Sequence, residues 1–163
     1  MKKWLSHVKE NWKTYLFWIL LAEGIGGWAG FLTRKGTKLY QQSMMKPPLS
    51  PPGIVFPIVW SILYALMGIG AARIRLAPES KARHRALNVF IAQLIVNFFW
   101  SLIFFNAQAY GFALIWLLLL WVLVIWMILA FYRVDPKAAL LQIPYLLWVT
   151  FAAYLNWSVW LQN

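Results

Sequence analysis

The fold class that the sequence predicts is an all-α integral membrane protein, a bundle of five transmembrane helices, and three observations predict it. Of 163 residues, 63% are hydrophobic and only 12% charged, whereas a soluble domain is about half apolar and a quarter charged. The mean hydropathy is +0.65. Five continuous apolar runs are each long enough to cross a bilayer, which takes about 20 helical residues. Membrane-barrel strands would instead alternate in character over about ten residues between turns. The whole chain, 1–163, reads as one domain.

The first span covers about 14–33 and carries one acid, Glu23. The basic segment before it is broken by polar groups, and no small-residue cleavage site follows, so this span is expected to remain uncleaved. The second span, about 53–72, has no charge at all. A basic hinge from Arg73 to Arg85 leads into the third, about 86–106. The fourth, about 109–132, carries Trp116, Trp121 and Trp126. Asp135-Pro136 is a helix-start signal with proline at the first helical position, and it opens the fifth span, about 137–161.

Orientation follows from the basic residues. The N-terminal tail has four, the Arg73–Arg85 hinge five, and the turn after the fourth span two, Arg133 and Lys137. These eleven share one side. Arg34, Lys35, Lys38 and Lys46 are on the other. Basic loops stay in the cytoplasm, which predicts a cytoplasmic N-terminus and a C-terminus outside. The expected location is a bacterial cell (inner) membrane.

The net charge of +11 would suggest nucleic acid in a soluble chain. Here the cations lie between apolar runs, where they set topology and meet anionic lipid, so no nucleic-acid partner is expected. The absence of cysteine excludes disulfides, thiolate nucleophiles and cysteine-bound metal. His7 and His84 have no second ligand at metal spacing. No metal site and no cofactor are therefore expected, and no buried histidine is available for a Ser–His–Asp arrangement. Gly24-x-Gly26-x-x-Ala29 has dinucleotide-fingerprint spacing but lies inside a span and not at a strand–helix turn, so it is discounted. Five spans do not divide into two equal halves of whole helices, unlike a transporter with repeated halves.

The first loop is the most distinctive stretch. Pro47, Pro48, Pro51 and Pro52 fix their own φ and push each preceding residue out of the α region. A stiff loop, with Leu49 at its centre, thus delivers Trp60 and Tyr64, four apart on one helix face. The stretch reads either as lid and wall of a pocket or as an ordinary loop with interfacial aromatics. In the third span Asn97, Trp100 and Phe104 share one stripe. In the fifth, Trp148, Ala152, Leu155 and Asn156 do the same. Such stripes suit a packed core as well as a ligand wall. Trp60, Trp100 and Trp148 fall well inside their spans, deeper than interfacial belts. Indoles around an apolar cavity suit a flat polycyclic ligand, with Asn97 to orient it. Glu23 is a functional candidate as an intramembrane acid, or it makes a polar contact to Asn97, Gln93 or a neighbouring chain. Gly26-x-x-x-Gly30 is a small-residue seam for close helix packing, within one chain or between two.

Lys46–Gly68 (KPPLSPPGIVFPIVWSILYALMG), Gln93–Phe105 (QLIVNFFWSLIFF) and Pro144–Trp160 (PYLLWVTFAAYLNWSVW) together resemble the translocator protein family. Its bacterial members are tryptophan-rich sensory proteins and its animal members peripheral-type benzodiazepine receptors. The resemblance covers the first loop and spans two to five. It implies a five-helix bundle, commonly a homodimer, with a ligand pocket under the first loop. It implies binding of porphyrins such as protoporphyrin IX, of isoquinoline carboxamides and benzodiazepines, and in animals of cholesterol. Trp60, Asn97 and Trp148 match family positions of the second, third and fifth helices. Leu49 departs from the family, where tryptophan is common. The C-terminal cholesterol consensus is incomplete, because no Lys or Arg follows Trp157, although the loose pattern recurs at Leu129–Lys137.

The expectation is a membrane receptor or sensor for porphyrin-type tetrapyrroles, with Trp60, Tyr64, Asn97, Trp100, Phe104, Trp148, Ala152 and Leu155 at the ligand and Pro47 to Pro52 as lid. Two rivals use the same pocket. One is light-dependent porphyrin breakdown with Trp60 and Trp148 as redox-active indoles, and the other is tetrapyrrole or lipid transport.

Overall fold

The computed structural model describes residues 2–43 and 46–163. Met1, Met44 and Met45 of the expected domain lie outside the described residues. Five helical stretches of 21 to 27 residues are long and apolar enough to cross a membrane. They are α2 (Trp12–Leu32), α4 (Val55–Leu76), α5 (Lys81–Ser101), α6 (Tyr110–Val134) and the pair α7 (Pro136–Leu140) and α8 (Ile143–Gln162). α5 runs on into one π-helical turn, Leu102–Asn106. Two further helices, α1 (Lys2–Glu10) and α3 (Arg34–Ser43), lie outside the spans. Both are short and polar, so hydropathy gives no span-like signal for them.

The third helix starts five residues before the expected Ala86. Ser80 caps it, its Oγ accepting the Arg83 N–H at 3.1 Å. The hinge cations Lys81, Arg83 and Arg85 are therefore helical, one turn above the apolar run. Asp135 caps α7 as its sequence suggests, with Oδ1 taking the Lys137 N–H at 3.0 Å. That helix stops after one turn, however. Gln142 bridges the break, its side chain donating to the Leu66 carbonyl of α4 at 3.0 Å.

α2 packs on α4, α5 on α6, and α6 on α8. At Gly68 a Cβ would overlap the Ile19 backbone, so the α2–α4 seam needs a residue without a side chain there. Trp116 donates to the Val96 carbonyl at 2.7 Å, and Trp121 to Thr150 Oγ1 at 2.9 Å. Although α6 carries no charged residue before its last turn, these two indoles thus find polar partners and brace α6 against α5 and α8. One end of the bundle is closed by Arg73, whose Nε meets Asp135 Oδ2 at 2.6 Å while its guanidinium lies 5.1 Å from the Trp4 ring of α1. The outer faces carry exposed Phe17, Leu20, Ile62, Ile115 and Val122, as lipid-facing helices do.

Candidate functional site

α4 and α8 meet through aromatic rings more than through close backbone approach. Trp60 is edge-on to Tyr145 at 6.2 Å and to Trp148 at 6.5 Å, and Phe56 is edge-on to Trp148 at 5.8 Å. Rings this large hold helices apart, and a cavity of about 570 Å³ opens beside them, bounded by α2, α3, α4, α8 and the end of α5. Its size falls within the usual range of small-molecule sites, about 300–1,000 Å³.

Trp60, Tyr64, Trp100, Phe104, Trp148, Ala152 and Leu155 all line this cavity. Trp60 stacks on Tyr64 at 5.5 Å, and Trp100 on Phe104 at 5.2 Å. Trp60 and Trp148 do not face one another across the space. They touch edge to face, at 90°, and form one corner of it, so no flat ligand can be sandwiched between them.

Asn97 sits elsewhere. It is fully buried and is not part of the wall. Its Oδ1 accepts the Tyr64 hydroxyl at 2.9 Å and its Nδ2 donates to the Tyr145 hydroxyl at 2.6 Å. Tyr145 in turn donates to Gln93 Oε1 at 2.7 Å. This chain ties α4, α5 and α8 together under the cavity floor, and every member is buried. Asn97 holds Tyr64, and Tyr64 presents its ring to the cavity. The Asn97 amide and the Gln93 carbonyl are thus committed to tyrosines, Gln93 Nε2 turns to Met67 Sδ at 3.8 Å, and Glu23 has no hydrogen-bond or ion-pair partner among the described residues. Glu23 instead borders the cavity.

The polar atoms of the wall differ in what they leave free. The Trp100 indole donates to Asn156 Oδ1 at 3.1 Å, and Asn156 donates to the Tyr110 carbonyl at 2.8 Å. By contrast, Trp148 Nε1 is buried with no acceptor among the described residues. An unpaired buried N–H is costly, and this one belongs to a cavity-lining residue.

Of the proline loop, Pro47 is buried and Leu49 is 73% exposed. Neither they nor Pro48, Pro51 or Pro52 line the cavity, although the adjoining Gly53 does. The covering element is α3, which sequence reasoning missed. It contributes Arg34, Thr37, Lys38, Tyr40 and Gln41. Gly36 makes its approach possible, because a Cβ there would overlap the Phe105 carbonyl of the π-turn. That turn sets Phe104 and Phe105 against Tyr40, at 5.5 and 5.6 Å. Burial, and secondarily Tyr110, pushes the Tyr40 phenol above its ordinary range, so it is a neutral group. Arg34 and Lys38 are exposed and form a cationic rim. Three-to-four spacing within Arg34–Gln41 was the available signal, overshadowed by the neighbouring prolines.

Gly26 and Gly30 also border the cavity. At Gly26 a Cβ would run into the Tyr64 ring, whereas at Gly30 it would meet nothing. The expected seam therefore serves packing within the chain at Gly26.

Comparison with known proteins agrees with this architecture. Residues 18–161 match the TspO/MBR family. The chain is 38% identical over 143 residues to "Tryptophan-rich protein TspO" of Chlorobaculum tepidum, covering 86% of this chain and 89% of that one. It is 39% identical over 125 residues to "Protein CrtK" of Rhodobacter capsulatus (76% and 78% covered). Against "Translocator protein" of Bos taurus it is 34% identical over 146 residues (88% and 86%). With five membrane-spanning helices and a match along nearly its whole length, the chain is an integral membrane protein and belongs to the TspO/MBR family.

Proposed function

We propose that this protein is a membrane receptor for porphyrin-type tetrapyrroles, protoporphyrin IX among them, and that it binds them in the α3-covered cavity. The observation that carries the reading is the pairing of an aromatic wall with a cationic rim. Trp60, Tyr64, Trp100, Phe104 and Trp148 offer ring faces and edges to a flat conjugated ligand. Arg34 and Lys38 stand at the exposed edge, where the two carboxylates of such a porphyrin would be placed. Trp148 contributes its ring to the wall beside Trp60. Membership of a family whose relatives include proteins named translocator and tryptophan-rich sensory protein supports the receptor class. A homodimer, as the resemblance implies, is part of the same proposal, and its dimer interface stays open.

The test is an absorbance titration of purified protein with protoporphyrin IX, in darkness and under illumination. A saturable, red-shifted complex in the dark is expected. Replacing Arg34 and Lys38 with Gln should weaken it about fivefold, the scale of exposed charge pairs, and a porphyrin without carboxylates should be indifferent to the change. Absence of a saturable complex refutes the reading. Light-dependent bleaching to a discrete product, lost on Trp60→Phe or Trp148→Phe with porphyrin still bound, would replace it with the degradative reading. Release of bound porphyrin to the opposite face of proteoliposomes would replace it with transport.

A further inference from the structure

A second hollow, of about 480 Å³, lies between α5 and α6. It shares no residue with the aromatic cavity. Its lining is divided by chemistry along the helix axis. Lys81, His84, Arg85 and Asn88 come from the first two turns of α5. Val89 and Ala92 follow on the same helix, and Leu123 and Trp126 face them from α6. At 1.5 Å per residue the stripe from Lys81 to Ala92 descends about 16 Å. It thus runs from the basic end of the bundle into the apolar zone. Trp126 is eight residues from the end of α6 at Val134, about 12 Å, so its half-exposed ring stands level with Val89 and Ala92.

Two of the cations at the top have no acidic partner among the described residues. Among the described residues, Asp135 is committed to Arg73, whereas Glu79 meets His84, a residue of the groove's own rim, at 3.3 Å. Lys81 and Arg85, one turn apart on one face, make no ion pair among the described residues. A helix face that meets lipid ordinarily avoids exposed cations beyond the interface. Here two unpaired cations and an asparagine stand over an apolar groove walled by an indole.

We infer that the α5–α6 groove is a binding site for an anionic phospholipid. Its phosphate would lie between Lys81 and Arg85, with Asn88 beneath, and one acyl chain would run down the groove past Val89, Ala92 and Trp126. Basic pockets between transmembrane helices recognise anionic head groups in this manner. A free phosphate would use only the rim and leave the apolar floor empty, so the groove commits the site to a lipid.

The experiment uses the full-length protein in nanodiscs with photoactivatable phosphatidylglycerol that carries a diazirine in one acyl chain. Peptide mapping should place the label in residues 85–92 and 121–127. Lys81→Gln with Arg85→Gln should lower labelling about tenfold or more, on the scale of about 1 kcal/mol per basic residue near an anionic surface. Lys2→Gln with Lys3→Gln removes the same charge at the same end and should leave labelling unchanged. Trp126→Ala, which spares the rim, should halve it or more. Equal labelling by the phosphatidylcholine analogue would overturn the site. So would equal loss in both charge pairs, label elsewhere on the bundle, or full competition by soluble glycerol phosphate.

Discussion

The hydrogen-bonded chain beneath the cavity makes a quantitative claim that a double-mutant cycle can check. Tyr64→Phe removes the hydroxyl that donates to Asn97 Oδ1 at 2.9 Å, and Asn97→Ala removes the acceptor. Asn97→Ala also deletes the bond to Tyr145 at 2.6 Å, but that loss occurs in both backgrounds and cancels in the cycle. Two scales compete for the magnitude. Stranding a buried polar group in a soluble protein costs about 1–3 kcal/mol. Interhelical bonds in a membrane protein average about 0.6 kcal/mol and reach about 1.7, because chains unfolded in the membrane also find partners. The second scale applies, since α4 and α5 are both spans. The expected coupling is therefore about 0.6–1.7 kcal/mol, read from SDS-titrated unfolding of the four variants in micelles. Additivity to within about 0.3 kcal/mol would refute the inference that Asn97 holds Tyr64. Asn97→Ala should also weaken porphyrin binding although Asn97 does not line the cavity, because the Tyr64 ring stacks on Trp60. Unchanged affinity would show that the ring keeps its place without the bond.

Trp148→Phe removes an unpaired donor and part of the wall, so porphyrin affinity should fall about threefold to tenfold, from about 0.5–1.5 kcal/mol of aromatic contact. Trp60→Phe should act similarly in the same titration. Trp121→Phe instead loses its bond to Thr150 and should lower the melting temperature with affinity unchanged. A reporter fused after Asn163 should be active only outside the cytoplasm, since eleven of fifteen basic residues gather at the other end; cytoplasmic activity would reverse the orientation. Gly26→Ala should displace the Tyr64 ring and weaken porphyrin binding while leaving the crosslinked dimer fraction unchanged; a shift to monomer would move the glycine to a dimer interface.

The spans were legible because bilayer crossing imposes about 20 apolar residues, and composition alone reports that. Their ends were less so. Ser80 caps the start of α5, but the cations after it look like a loop when hydropathy is the guide. The face of each span was legible from three-to-four spacing, which brings Trp60 with Tyr64, and Trp100 with Phe104, to one cavity. What each residue does on that face was not. Asn97 shares the stripe of Trp100, yet two tyrosines from other helices, 33 and 48 positions away in the chain, take up its amide. No local pattern encodes such a partner. The proline loop drew attention through its composition, but rigidity is not proximity. The covering role falls to α3, whose approach depends on Gly36 meeting the π-turn, a contact between segments that are unrelated in sequence.

Tyr64 belongs to two structures at once. Its ring is cavity wall, stacked on Trp60, and its hydroxyl is the first donor of the chain through Asn97 and Tyr145 to Gln93. Tyr145 returns to the wall's far corner, edge-on to Trp60 at 6.2 Å, so the path closes on itself across α4, α5 and α8. Moving the Tyr64 ring by more than a few tenths of an ångström stretches the bond to Asn97, because the hydroxyl and the ring are one rigid body. Asn97 cannot follow without loosening Tyr145, and Tyr145 cannot shift without disturbing Trp60. Glycine at position 26 leaves the Tyr64 ring its place against α2, and any larger residue would press it toward the cavity. The contents of the cavity and the packing of three spans are therefore not independent, and the Tyr64–Asn97 bond is the link between the wall and the buried chain.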